Sequence, residues 1–188
     1  YAQRVSMFDA TNFSKNIQKD IKSARKSVAI YSGFVTENRV KTYVSSFEER
    51  IQKGVAIRCI TRPPVSNGKD FMRQTARNAL RRLKRVGCRV DLRAQIHQKI
   101  VIVDEEIVWF GSLNPLSHTT KTDETMQRTI GKHYARELAS FVALDFVREP
   151  DKASGISVLK ENPSCPECKT SWVTLVSRGE YGKPHAWR

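Results

Sequence analysis

Apolar positions recur along this chain at two spacings, and the two alternate. Phe13, Ile17 and Ile21 stand four residues apart, which places them on one helical face. The spacing predicts a helix from Thr11 to Arg25, with the Thr11 hydroxyl as its N-cap. Ser27 to Ser32 (SVAIYS) is a short apolar run suited to a buried strand, and Gly33 opens a loop after it. Val40, Val44, Phe47 and Ile51 predict a second helix over Glu37 to Lys53, stopped by Gly54. Val55 to Thr61 (VAIRCIT) reads as a second strand, and Pro63, Pro64, Asn67 and Gly68 mark a loop. Asp70 to Val86 is a third helix, whose stripe is Phe71, Ala79, Leu83 and Val86. Gly87 ends it, and Cys88 to Leu92 is a third strand. Ile96 to Val103 and Ile107 to Phe110 read as a strand pair joined by the turn Asp104–Glu105–Glu106, and Tyr134 to Val147 as a last amphipathic helix.

Strands alternating with helices imply an α/β fold, a mixed β-sheet flanked by helices. No internal repeat is visible. Residues 1–148 carry the whole pattern and are expected to form one domain. Residues 149–164 turn polar, with Pro150, Gly155 and Pro163, and read as a linker. Residues 165–188 read as a separate small unit.

Charge narrows the partner. Lys and Arg number 33 against 19 Asp and Glu, a formal net charge of +14. Such an excess calls for a polyanion, nucleic acid first and an anionic membrane surface second. No apolar run reaches the ~18 residues of a membrane-spanning helix, so no spanning helix is expected, and of the two polyanions nucleic acid is the expected partner, with no membrane. Cys59 and Cys88 fall inside strand-like runs as ordinary core thiols, which is not a secreted disulfide framework. The expected location is therefore intracellular, cytoplasmic or nucleoid/nuclear.

Candidate chemistry concentrates in IHQKIVIVDEEIVWFGSLNPLSHTTKTDETM. On a strand, residues two apart share a face, so His97 and Lys99 are expected to project side by side. Gly111 and Ser112 end the paired strand, where glycine lets a backbone approach a ligand closely, and Asn114 adds an amide. An imidazole, an ammonium, a hydroxyl and an amide on one spot suit a phosphate diester. Such a set offers donors for the nonbridging oxygens and a nitrogen for in-line attack.

The pattern H-x-K-x4-D-x6-G-S-x-N, formed by His97, Lys99, Asp104, Gly111, Ser112 and Asn114, resembles the phospholipase D superfamily without a departure. The single motif resembles that superfamily's nuclease-like branch, similar to restriction-enzyme cleavage domains and to domains appended to helicases and ATPases. The resemblance covers roughly residues 5 to 148 and implies the phospholipase-D-like fold. It implies that His97 attacks phosphorus to form a phosphohistidine, while the His97 of a second copy protonates the leaving oxygen and then activates water. Lys99 and Asn114 would hold the phosphate oxygens, with Ser112 helping through hydroxyl or amide. Asp104 belongs to the motif but is assigned a structural role in its turn. Glu124, ten residues past Asn114, would contact the imidazole and fix its tautomer; Asp123 is the alternative. His118 is close enough in sequence to reach the site, although a loop histidine there is more often incidental. No cofactor is implied for catalysis.

Two features lie outside the motif. Arg73, Arg77 and Arg81 recur every four residues on the third helix, widened by Arg82, Lys84 and Arg85, and Arg62 follows a strand that ends near the same face. They read either as a phosphate-backbone track or as a solvated basic face. Cys165 and Cys168 (CPEC), followed by WVTLV, resemble the first knuckle of a zinc ribbon with a structural zinc. The second cysteine pair is missing. Either it lies beyond Arg188, or His185 supplies a ligand to an incomplete site, or the pair is a redox CxxC, or it holds no metal.

The sequence thus leads to a metal-independent phosphodiesterase that cleaves nucleic acid, DNA rather than RNA, in a homodimer-shared site. The chain is read as part of a larger protein with a motor or targeting domain. The rival readings are a non-catalytic nucleic-acid-binding dimer module and a phospholipid hydrolase.

Overall fold

The computed structural model describes residues 4–64, 70–117 and 122–142. All of them fall in the compact unit Tyr1–Arg148. The expected linker at 149–164, the Cys165–Cys168 pair and the zinc expected there, His118 and His185 lie outside the described residues.

The described elements are β1 (Arg4–Asp9), α1 (Phe13–Ser23), β2 (Ser27–Ser32), α2 (Glu37–Lys41), α3 (Val44–Gln52) and β3 (Ala56–Thr61). They continue with α4 (Asp70–Arg85), β4 (Arg89–Leu92), β5 (Lys99–Val103), β6 (Ile107–Gly111), β7 (Thr125–Ile130) and α5 (Lys132–Phe141). Seven strands form one mixed sheet in the order β1-β7-β6-β5-β2-β3-β4. β2, β3 and β4 are parallel, whereas β5 runs antiparallel to β2 and begins an antiparallel meander with β6 and β7.

The central strands are apolar on both faces because both faces are covered. Val28, Ile30, Cys59, Val101 and Trp109 pack with Phe13, Ile17, Phe47, Leu80 and Leu83 from the helices α1, α3 and α4. On the other face, Tyr31, Ile60, Ile100, Ile102 and Val108 pack with Ala135 and Ala139 of α5. Gly54 and Gly87 close α3 and α4 with φ of 82° and 94°, a conformation glycine takes without a Cβ clash.

One buried charge ties helix to sheet. Asp20 of α1 accepts 2.7 Å hydrogen bonds from the Trp109 indole on β6 and from both Nε and Nη2 of Arg128 on β7. Trp109 also meets Phe8 and Phe13 at ring-centroid distances of 4.7 and 5.4 Å. Removing one partner of a buried pair costs about 3–5 kcal/mol, because the other charge is stranded.

Several expectations need correction. Thr11 does not cap α1. Asp9 does the work before the helix, accepting from the Thr11 amide, the Thr11 hydroxyl and the Asn12 amide at 2.8, 2.6 and 3.0 Å, and these bonds hold its carboxyl below the ordinary value. The single helix expected over Glu37 to Lys53 is two. The Thr42 amide and hydroxyl both bond to the Arg39 carbonyl, at 3.1 and 2.7 Å, and the Tyr43 amide bonds to Val40. These three-residue bonds tighten the chain and break the helix. Phe71 is 80% exposed rather than part of the α4 stripe, which is Ala76, Ala79, Leu80 and Leu83. At ~100° per residue, Phe71 sits roughly 120° round from the centre of that stripe. The last helix starts at Lys132 rather than Tyr134.

Candidate active site

The site forms where the sheet ends. β5 stops at Lys99 because its last partner on β2 is Ser32, after which β2 turns away at Gly33. His97 therefore lies just before the strand, not on it as expected. The two side chains still meet. Lys99 Nζ lies 3.1 Å from each ring nitrogen of His97 and donates to the His97 carbonyl at 2.8 Å. The imidazole is exposed and the lysine partly covered. Burial first, then the nearby Arg62 guanidinium, pushes the Lys99 ammonium below the ordinary lysine value, while Glu124 pulls it the other way.

The segment after β6 is held by the loop between β2 and α2. Ser32 Oγ accepts from the Leu116 amide at 3.1 Å, the Thr36 amide donates to the Leu116 carbonyl at 2.9 Å, and the Tyr43 hydroxyl donates to the Pro115 carbonyl at 3.3 Å. Leu113 and Leu116 are buried on either side of Asn114. This anchoring fixes Asn114, whose Oδ1 is buried with no hydrogen-bond partner. A Cβ placed on Gly33 would come 3.4 Å from that oxygen and 3.4 Å from the Ile96 carbonyl. Asn114 thus sits across Gly33 from the backbone that carries His97.

Ser112 and Glu124 close the other side. The Ser112 hydroxyl donates to Glu124 Oε2 and accepts from the Thr125 amide, and its own amide donates to the Thr125 carbonyl. The second Glu124 oxygen accepts from Thr122 at 3.2 Å. The Glu124 carboxylate is therefore spent on Ser112 and Thr122 rather than on His97, and it reaches Lys99 through its charge. Gly111 permits a close approach, but of β7 rather than of a ligand, since a Cβ there would lie 2.1 Å from the Thr125 carbonyl.

Asp104 is at the opposite end of β5, roughly 16 Å from Lys99 at strand rise. Asp104 and Glu105 take φ of 54° and 55° to make the hairpin turn. The Asp104 carboxylate accepts from the amides of Arg25, Lys26 and Ser27 at 2.8, 2.7 and 3.0 Å, at the start of β2.

Of the basic residues singled out in the sequence beyond the motif, Arg62 is the one that, among the described residues, reaches the site. Its Nε donates to the Ile96 carbonyl at 2.7 Å, and its guanidinium lies 5.1 Å from the Phe34 ring centre. α4 carries the chain from the end of β3 back to the start of β4, so Lys84 and Arg85 lie at the end of α4 away from His97. Arg73 pairs with Asp70 at 3.2 Å, and Arg77 and Arg81 lie on the exposed face of α4. The sequence reading passed over Gly33, Ser32, Thr36 and Tyr43, whose roles are set by contacts distant in sequence. Among the described residues, no three His, Cys, Asp or Glu side chains gather as a metal site, and no helix is long and apolar enough to cross a membrane.

Residues 17–142 match the family model described as the cardiolipin synthase, PLD-like domain. No curated protein matches the chain. Among solved structures, the phospholipase D family member Nuc from Salmonella typhimurium superposes with a TM-score of 0.60 at 18% identity, covering 74% of this chain and 91% of that one. NucT from Helicobacter pylori gives 0.57 at 19% identity, covering 76% and 94%. TrmBL2, an archaeal chromatin protein whose structure shows a mode of DNA binding, gives 0.51 at 14% identity, covering 74% of this chain and 51% of that one.

Proposed function

Because the chain belongs to the phospholipase-D-like domain family, we propose that it is a phosphodiesterase of the single-motif branch that cleaves nucleic acid, DNA before RNA. The observation that carries this reading is the His97–Lys99 pair, an exposed imidazole held at 3.1 Å from an ammonium. The Asn114 amide, whose nitrogen can donate to a phosphate oxygen, lies across Gly33 from the His97 backbone. The net charge of +14 and the DNA-binding TrmBL2 neighbour support a nucleic-acid substrate.

In the proposed reaction a nitrogen of His97 attacks phosphorus, the bond to the leaving oxygen breaks, and that oxygen takes a proton from the His97 of a second copy. The second imidazole then takes a proton from water, whose oxygen attacks phosphorus. The phosphorus–nitrogen bond breaks and His97 is released. Lys99 and Asn114 bind the nonbridging oxygens, so organic groups meet the phosphoryl charge. Each chain offers one such imidazole, and a twofold dimer supplies the other.

Incubation with labelled DNA, RNA and cardiolipin-containing vesicles in EDTA tests the reading. Cleavage of DNA that survives EDTA is expected. Hydrolysis of lipid alone would favour the phospholipid reading that the family's cardiolipin synthase description suggests. Binding without turnover would favour a non-catalytic module. Mixing His97→Ala chains with wild type tests the shared site, since activity should then fall with the square of the wild-type fraction rather than linearly.

A further inference from the structure

Arg62 and Lys99 stand on either side of the exit of β2. In the sheet, β2 lies between β5, which carries Lys99, and β3, which ends just before Arg62. At about 4.8 Å per strand the two backbones are roughly 10 Å apart. Between them the chain turns at Gly33, which has no side chain to fill the gap. The buried Asn114 Oδ1 and the Ile96 carbonyl border the same space, each 3.4 Å from where a Gly33 Cβ would be.

Arg62 is held firmly but not neutralised. Its Nε bonds the Ile96 carbonyl, its guanidinium carbon lies over the Phe34 ring, and among the described residues no carboxylate is within ion-pair distance of it. The charges facing Lys99 are Arg62, Glu124 and the adjoining His97 ring, and Arg62 opposes the lysine charge. Two cations beside a gap that has, among the described residues, Glu124 as its one nearby carboxylate repel each other until an anion sits between them. A guanidinium anchored through Nε still has both terminal nitrogens for a phosphate oxygen, a geometry an ammonium cannot copy.

We propose that Arg62 is a second cation contributed by each chain to the phosphate pocket, binding a nonbridging oxygen of the phosphodiester that Lys99 also holds. Through its bond to the Ile96 carbonyl it sets the position of His97 as well. The proposal rests on the phosphodiesterase reading and assigns Arg62 to the reacting phosphate rather than to a distant backbone track.

The test compares Arg62→Gln and Arg62→Lys with wild type. Its readouts are inorganic phosphate binding by calorimetry, turnover of bis(p-nitrophenyl) phosphate and labelled DNA, and thermal melting. Arg62→Gln is expected to weaken phosphate binding and raise KM by about tenfold, the worth of one charge-assisted hydrogen bond. It should also move the alkaline limb of the pH–rate profile upward, because Lys99 loses an opposing charge. Arg62→Lys is expected to keep KM within about threefold of wild type yet lose about tenfold in kcat, since lysine cannot hold both the carbonyl and the phosphate. Unchanged phosphate affinity in Arg62→Gln would overturn the proposal, as would equal losses in both variants that track their melting temperatures. If wild type turns over neither substrate, the phosphodiesterase reading fails, and the phosphate titration alone decides the role of Arg62.

Discussion

The β5–β6 hairpin bears motif residues at both ends, and the two ends use their polar groups in opposite ways. At the turn, three backbone amides converge on the Asp104 carboxylate. At the open end, among the described residues, the His97 ring is hydrogen-bonded to Lys99 alone, the Asn114 Oδ1 has no donor, and Arg62 has no carboxylate. A saturated carboxylate holds β5 against β2, whereas groups left over can act on something that arrives. One sequence motif therefore contains a fastener and a tool, and spacing alone does not tell them apart.

The largest effect expected from breaking this contrast is at His97. His97→Ala should lower kcat by at least about a thousandfold, as removal of a nucleophile does, while leaving the melting temperature unchanged. Steady-state cleavage and thermal melts on the same preparations check both halves. Asp104→Ala should do the reverse. It gives up charge-assisted bonds and puts alanine at a φ of 54°, so urea unfolding should show a loss of about 2–3 kcal/mol. The kcat per folded molecule should stay within a few-fold, and a collapse of kcat at full stability would place Asp104 with the chemistry. Asp104→Asn, which tolerates the turn, should lose less.

A smaller effect is expected away from both ends. Replacing Arg77 and Arg81 with Gln should weaken binding to all DNA sequences alike and flatten the log–log salt dependence by about 0.7–0.9 per lost phosphate contact. The kcat should be unchanged, because α4 leads away from His97. An unaltered slope would make the exposed face of α4 merely solvated.

The smallest effect concerns stability at Lys99. Its ammonium is held below the ordinary lysine value, so the folded state disfavours the protonated form. That penalty is present below the folded pKa and fades as pH rises through the unfolded one. Lys99→Gln should therefore abolish cleavage at neutral pH without lowering the melting temperature. Glu124→Gln removes a charge that raises the lysine pKa, so its alkaline limb should move to lower pH. A melting point several degrees below wild type for Lys99→Gln would mean that the lysine is a fastener like Asp104.

Much of this arrangement was legible in the sequence. The core strands β2 and β3, the helices over α1 and α4, the hairpin turn and the pairing of His97 with Lys99 follow from period and motif. β1 and β7 did not, because each turns one face toward Trp109, while the other is open along β1 and carries the buried polar Thr129 on β7. Val5 and Met7 are exposed on that outer face, and Arg128 points inward to Asp20, which disguises the alternation. The strand assigned from Ile96 begins at Lys99 because both neighbouring strands end there, a fact about pairing that no local pattern carries. Phe71 shows the converse failure, since an apolar residue in a helical stretch was counted toward a stripe it does not share. The anchors of Asn114 come from positions 32, 36 and 43, and only the folded chain brings them to one loop.

The bond between Trp109 and Asp20 also makes the protein its own optical gauge. Trp109 is the first of three tryptophans, the others being Trp172 and Trp187. With those two changed to Phe, emission comes from one indole that is fully buried between Phe8 and Phe13 and bonded to Asp20. Loosening of α1 from β6 and β7 then shifts that emission toward the red. The colour of a single chromophore thus reports whether the scaffold behind Ser112 and Glu124 is seated, independently of any substrate.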